Sequence, residues 1–592
     1  MLIDLLEDSV SLSVQPEDRR FAFYEEGNTV GFDIAKSMLG TRMKPDGTCT
    51  LTIFDVLMLR KALLKLGTWD QLRFTDKAYR VMEQHLIDLN SLSEIKAGKR
   101  NGILVDELKT VPYSDQKAGA LFHLSMDRSG EFSSMGIGKT LIALMWIHEL
   151  MKQGTVKRIL VVCKNGGKNV WRAEIAKHTN YTCLIAGNGT DIVEHDLADF
   201  FSQKLDIFVL HYNCLSTRKG MKSSIHDLLL STTFDAIILD EAHKIKHTTA
   251  SWTKALFEVV ERVNPRKMLV MTGTPVAESP ENAYTLLKLI KPSILPSKTA
   301  FLNRFTIRRL VKRGKYRVMD IVGYQNLEDL RDLISWVSYR KTQEDAEGMP
   351  PTVFVDCPCE MGHDQAKLYN SIAEKTYNEI AAIPGNALNL EIVAVKLIRL
   401  RQCLTHPYIL GEKAPSCKFE ECDDIVEEVL ADENAKILLW SDSQVGVELL
   451  CERYREQYGA EFIHGMVPIP LRDAIEGRFN TQVSPRLLAL SPGAAGDSLN
   501  LQRARTSVYV SRPVSLTDYQ QSLNRICRRN AKGTSIIKTI IVPNTVDEWL
   551  TALLEKKANI SEALTLGEDK IERIDKQFLL DYLKKKVMVR NS

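Results

Sequence analysis

The chain has 592 residues, 44% hydrophobic and 26% charged, with a formal net charge of +3. That composition excludes wholesale disorder, and the length holds roughly three or four domains' worth of core. With so little net charge, any nucleic-acid site must come from local clustering rather than from a field over the whole molecule.

The first residues, Met1-Leu-Ile-Asp-Leu-Leu-Glu-Asp8, are acidic and unlike a secretory signal. No apolar run is long enough to cross a bilayer, so an intracellular protein without membrane contact is expected. The 11 cysteines are scattered, as suits buried free thiols in a reducing compartment, and no pair of C-x-x-C knuckles suggests zinc. Residues 1–100 carry no catalytic motif. From Thr52 to Leu92 apolar residues recur near helical spacing, which predicts a small accessory domain that packs or docks.

Next comes Ser133-Ser-Met-Gly-Ile-Gly-Lys-Thr140, running into the apolar segment Leu141–Ile147. Met135, Gly136, Ile137 and Gly138 form a loop feeding a helix N-terminus. Glycines let successive N–H groups curl around an anion, and the helix end adds partial positive charge. Lys139 is placed to reach a nucleotide's β/γ-phosphates and Thr140 to ligate Mg²⁺. The strict phosphate-loop pattern needs Gly where Ser133 stands.

Four apolar segments follow, Arg158–Cys163, Asp206–Tyr212, Phe234–Asp240 and Lys267–Thr272, alternating with helical stretches. Continuous apolar strands between helices predict a parallel sheet covered on both faces, with ligands beyond the strands' carboxyl ends. Asp240-Glu-Ala-His243 sits at such an end. A carboxylate there can hold Mg²⁺, and Glu241 beside it can polarise a water. Between Asn303 and Arg317 lie seven basic residues, Arg304, Arg308, Arg309, Lys312, Arg313, Lys315 and Arg317, read as a helical surface or a nucleic-acid contact. Residues 325–410 read as mainly helical. A second α/β series follows, with strands expected at Ala435–Ser441, Glu461–His464, Arg486–Ser491, Ser507–Ser511 and Ile536–Val542.

The motif order resembles superfamily 2 helicases of the Swi/Snf-like branch, the DNA-translocating ATPases. The resemblance runs from about residue 110 to about 550. It rests on Lys139-Thr140, Asp240-Glu-Ala-His-Lys-Ile-Lys246 and Thr272-Gly-Thr-Pro275. It extends to Pro112–Lys117, Leu397–Pro407, Ser491–Leu501 and Gln521-Ser-Leu-Asn-Arg-Ile-Cys-Arg528. It implies two RecA-like lobes with ATP and Mg²⁺ between them. Gln116 would read the adenine edge, and Gly496 and Gln521 would belong to the nucleotide site. Arg528, with Arg525 as companion, would be the arginine finger, and Thr272 and Thr274 would couple nucleotide state to lobe motion. Lys164, Lys168, Ser491 and Asn500 would touch nucleic acid through backbone contacts, which are sequence-independent and salt-sensitive. The chain departs from the branch at Ser133-Ser134, Ala495, Ser498, Ser511-Arg-Pro513 and Arg529-Asn530, which suggests a divergent, bacterial or phage-encoded member.

The expected organisation is therefore α/β. An accessory domain would occupy residues 1–100. A first lobe would occupy 101–345, with a basic helical insertion at about 297–345. A second lobe would occupy 346–592, with a helical insertion at about 360–415 and a helical tail from about 546. The expected activity is ATP-dependent translocation on double-stranded DNA, in the cytoplasm or, in a eukaryote, the nucleus. A protein partner would dock through residues 1–100. The alternatives are a strand-separating helicase on DNA or RNA, and a DNA-binding scaffold with little ATPase.

Overall fold

A computed structural model describes residues 2–5, 20–24, 49–65, 73–100, 108–552, 554–555 and 570–572. Within 108–552 it leaves out 188–189, 216–224, 247–249, 277–278, 293–296, 314–315, 382–389, 496–498, 530 and 532.

The first lobe is built on a seven-stranded, all-parallel sheet. Its strands are β5 (Arg128–Glu131), β6 (Ile159–Cys163), β7 (Cys183–Ile185), β8 (Ile207–His211), β9 (Ala236–Leu239), β10 (Lys267–Met271) and β13 (Ser338–Tyr339). Their order is β13-β5-β10-β9-β6-β8-β7. Every residue of β6 and β9 is fully buried, because apolar clusters cover both faces of the sheet. Such strands have no polar side to alternate with, which is why they read as unbroken apolar runs. The second lobe repeats the plan with a six-stranded parallel sheet, β14-β19-β18-β15-β17-β16. Its strands are β14 (Thr352–Pro358), β15 (Ile437–Trp440), β16 (Glu461–Ile463), β17 (Leu487–Leu490), β18 (Thr506–Tyr509) and β19 (Ser535–Ile541). Helices His363–Ala381 and Leu390–Thr405 make the helical insertion.

The N-terminal residues add a four-stranded sheet, β3-β2-β1-β4, from Cys49–Thr52, Arg20–Tyr24, Leu2–Leu5 and Arg73–Phe74. Two helices, Ile53–Lys65 and Asp76–Lys96, accompany it. The first is welded to lobe 1. Met58 joins the lobe-1 core, and Lys61 pairs with Asp332 at 2.6 Å and Glu328 at 2.8 Å. Arg304 bridges the buried Asp55 at 3.3 Å and Asp329 at 3.1 Å.

Two expectations are corrected here. The basic stretch is not helical beyond Phe305. It forms an antiparallel ribbon, β11 (Thr306–Arg313) with β12 (Tyr316–Gln325), between helices Lys298–Phe305 and Leu327–Val337. Its basic residues are interleaved with Ile307, Leu310, Val311, Val318 and Ile321, and such a mixture favours strands. Residues 325–410 are mainly helical as expected, with the strands β13 and β14 among the helices. Finally, residues 570–572 of the tail are strand β20, paired antiparallel to β12 with Tyr324 opposite Ile571.

Candidate functional site: a nucleotide cleft between the lobes

The loop from Phe132 to Gly138 leaves the end of β5 and enters helix Lys139–Lys152. Two glycines are required there. Gly136 has φ +83°, and a Cβ on it would stand 2.9 Å from the Cys527 carbonyl of lobe 2. Gly138 has φ +94°, and its Cβ would meet Gln116 Nε2 at 2.5 Å. No L side chain fits either place without strain. Gly138 caps the helix without a side-chain hydrogen bond, so no cap competes with an anion at this N-terminus. Lys139 Nζ donates to the loop carbonyls of Ser133 (3.1 Å) and Ser134 (3.4 Å).

Ser133 and Ser134 are held by the chain beside β13. Ser134 N–H donates to Lys341 O at 2.8 Å, and Lys341 N–H donates to Ser133 Oγ at 3.0 Å. Gln343 Nε2 donates to Met135 O at 3.1 Å. Beneath the loop, Glu131 accepts from Ser133 N–H at 3.0 Å and pairs with His123 Nε2 at 2.9 Å. His123 Nδ1 contacts Ser129 Oγ at 2.8 Å, and all three side chains are buried. This network explains how the polar strand Arg-Ser-Gly-Glu lies inside a core. Glu131→Ala should destabilise lobe 1 by about 3 kcal/mol, because it leaves buried donors unpaired, while His123→Leu with Glu131→Leu should recover most of the loss. Denaturant midpoints check this; a single variant as stable as wild type contradicts it.

On the facing wall, Asp240 and Glu241 follow β9. Glu241 adopts φ +51°, a left-handed bend costly for a non-glycine residue and common at functional sites. Asp240 Oδ2 accepts from Trp171 Nε1 at 2.9 Å and its Oδ1 from Glu241 N–H at 2.9 Å, while its carbonyl accepts from Tyr212 Oη at 2.8 Å. Burial, then the charge of Glu241, push the Asp240 carboxyl up to about 6. Burial also opposes charge on Glu241, but the imidazole of His243, with Lys164 and Lys139, holds it below the usual carboxylate range. His243 Nδ1 lies 3.2 Å from Glu241 Oε2 and 3.3 Å from Thr272 Oγ1, which in turn accepts from Thr274 N–H at 3.1 Å. Thr272-Gly-Thr274 is thereby joined to the acidic pair.

Lobe 2 supplies the third wall. Arg525 Nη1 donates to Leu499 O at 2.7 Å. Arg528 donates from Nε to Asn524 O at 2.8 Å and from Nη2 to Leu499 O at 3.2 Å. Lys164 Nζ reaches across to Gln521 Oε1 at 3.3 Å. Together these elements line one cleft of about 250 Å³, shared by Met135, Gly136, Gly138, Lys139, Thr140, Asp240, Glu241, Gln521, Arg525 and Arg528.

Other expected residues lie elsewhere. Ile137 is buried, and its carbonyl accepts from Gln116 Nε2 at 2.8 Å. Gln116 Oε1 accepts from Tyr113 N–H at 3.0 Å, so its amide braces the phosphate loop in this structure. Gly496 lies outside the described residues. Lys168 is turned inward, 7% exposed, and its ammonium donates to Ala186 O at 2.8 Å. That removes it from the nucleic-acid surface. Ser491 is buried, while Asn500 is exposed. Lys164 also lines a second cleft of about 220 Å³ with His211, Asn213, Lys244 and Trp252, beyond the carboxyl ends of β6, β8 and β9. Burial and the Lys168 charge push the His211 imidazole down to about 4. Sequence reading did not find Arg529. Its guanidinium lies 4.6 Å over the Tyr113 ring and is paired with the buried Asp115 across the lobes. Arg529→Ala should raise the KM for ATP about tenfold with less effect on kcat, by loosening closure; an unchanged KM would make the pair incidental.

A phosphate loop, an acidic pair and two arginines from a second parallel-sheet lobe define a two-lobe, helicase-type nucleotide-binding protein. Residues 131–409 match the SNF2-related domain and 417–530 the helicase conserved C-terminal domain. The chain belongs to the Swi/Snf-like branch of superfamily 2. It is 23% identical over 475 residues to mouse DNA annealing helicase and endonuclease ZRANB3, covering 78% of this chain and 42% of that protein. It is 23% identical to Arabidopsis thaliana Protein CHROMATIN REMODELING 4, over 72% of this chain and 20% of the relative. It is 22% identical to the putative ATP-dependent helicase/translocase YwqA of Bacillus subtilis, over 79% of this chain and 50% of the relative. The chain thus spans half or less of these relatives. Among solved structures, the Sulfolobus solfataricus SWI2/SNF2 ATPase core in complex with dsDNA is 20% identical, over 79% of this chain and 96% of that one, with a TM-score of 0.37. No helix among the described residues is long and apolar enough to cross a membrane.

Proposed function

We propose that this protein is an ATP-dependent translocase on double-stranded DNA. The observation that carries the reading is the shared cleft, in which Lys139, Asp240 and Glu241 of lobe 1 face Gln521, Arg525 and Arg528 of lobe 2. The left-handed glycines, the open helix N-terminus and the Lys139 ammonium suit a triphosphate. Thr140 and Asp240 would hold Mg²⁺, which when bound supplies positive charge to the phosphate oxygens. Glu241, ionised at neutral pH, orients the attacking water and accepts its proton. Arg528 stabilises the charge that develops on the transferred phosphoryl group. Because these groups come from different lobes, nucleotide favours the closed cleft and hydrolysis releases it. The His243–Thr272 contact gives lobe 1 a route from the acidic pair to the Thr272–Pro275 segment. Helices Ile53–Lys65 and Asp76–Lys96, which pack on lobe 1, would move with it, and residues 1–100 would offer a surface for a protein partner.

The DNA assignment draws on the relatives' names together with the basic second cleft, and the duplex form is the part of the proposal put to the test. The test is the steady-state ATPase rate with no nucleic acid, duplex DNA, single-stranded DNA and RNA. Stimulation by duplex DNA above the others is expected. Preferential stimulation by single strands or RNA would replace this reading with a strand-separating helicase.

A further inference from the structure

The ribbon β11–β12 is the most concentrated basic feature of the chain. Between 306 and 321 it carries six basic residues and one acidic residue, Asp320, in a protein whose formal net charge is only +3. Its base is fixed. Tyr324 is buried in the lobe-1 core, Gln325 and Asn326 side chains donate to the Arg304 carbonyl, and β20 pairs with 323–325. Beyond that base, residues 309–310 and 317–319 are exposed. Arg309 and Arg317 face solvent, and Leu310 and Met319, directly opposite each other in the register, are 57% and 51% exposed. Val318 beside them is 42% exposed.

Two large apolar side chains paired at an exposed position, flanked by arginines, are unfavourable unless something covers them. A partner that covers them must match both the arginines and the apolar pair. A nucleic acid does so, because its phosphates match the charge and its bases are apolar on their faces. A two-stranded ribbon is also narrow enough to enter the major groove.

We propose that β11–β12 is a second DNA-binding element, separate from the cleft. Arg308, Arg309 and Arg317 contact backbone phosphates, and the Leu310–Met319 pair packs on base faces exposed where a duplex ends or forks. The proposal rests on the DNA reading above and adds a preference for discontinuous duplex.

The test is fluorescence-anisotropy binding of the full chain to a labelled blunt duplex and to a fork of equal length over a salt series, with ATPase measured alongside. R308Q/R309Q/R317Q should weaken binding to both DNAs at least tenfold. It should also reduce the slope of log K against log salt by about 2–3, as loss of three phosphate contacts requires. ATPase without DNA should stay within twofold of wild type, and thermal midpoints should match. L310S/M319S should bind the blunt duplex as wild type but lose the preference for the fork. An unchanged salt slope in the triple variant overturns the phosphate contact, and an unchanged fork preference in the double variant overturns the base contact. If the wild type hydrolyses ATP with no response to any DNA and binds none, the functional reading itself falls, which is distinguishable from a ribbon variant that leaves DNA stimulation intact.

Discussion

Glu241→Gln should lower duplex-stimulated ATP hydrolysis by about 10²–10⁴-fold, the range for loss of a positioned proton acceptor. Nucleotide binding should stay near wild type. Gln keeps the size of the side chain, and Lys139, the glycine loop and Asp240 remain in place. The substitution removes the charge that the His243 imidazole and the two lysines favour, and with it the partner of His243 at 3.2 Å. Single-turnover hydrolysis and fluorescent-nucleotide binding separate the two effects. A variant that hydrolyses ATP within threefold of wild type would remove Glu241 from catalysis.

Arg528→Ala should be comparably severe, lowering kcat by about 10³-fold or more, as for arginine fingers generally. Here the physical setting strengthens the expectation. The guanidinium is partly buried in the cleft wall; burial opposes its charge, while Glu476 of lobe 2 and Glu174 of lobe 1 favour it. A charge partly withdrawn from water acts on a neighbouring phosphate with less screening than one at the open surface. In this structure two of its N–H groups are bound by carbonyls of its own lobe, so closure must redirect at least part of the side chain. Lys, which keeps the charge but not the fork, should rescue little. If Arg528→Ala leaves kcat intact while Arg525→Ala abolishes it, the roles of the two arginines are exchanged.

What the sequence made legible follows from what each element buries. Strands β6, β8, β9, β10, β15, β17 and β18 are buried from both sides, so their apolar runs announce them. Strand β5 is equally buried, but Ser129 and Glu131 are satisfied by His123, a partner that periodicity cannot supply. The ribbon β11–β12 was hidden by its charge, which drew attention away from the interleaved apolar residues. Strand β14 lies at a sheet edge with Val353, Phe354 and Val355 exposed, and its pairing with β19 depends on a chain segment far away. The cleft itself was legible because a phosphate loop and a strand-end acidic pair are local signals. Gln343 on the Met135 carbonyl and Arg529 on Asp115 were not, since each joins residues more than 200 positions apart. Gln116, to which the resemblance gives the adenine edge, has its amide spent on the backbone of Tyr113 and Ile137 in this structure.

The most direct test of ATP-driven movement on duplex DNA is triplex displacement. A third strand is annealed to a linear duplex, and its release is followed with ATP, without ATP, and with the Glu241→Gln protein, alongside a forked strand-separation substrate. The wild type should release the third strand only with ATP and leave the blunt duplex paired, and the variant should release none. Strand separation by the wild type without third-strand release would contradict translocation on double-stranded DNA and establish a strand-separating helicase instead.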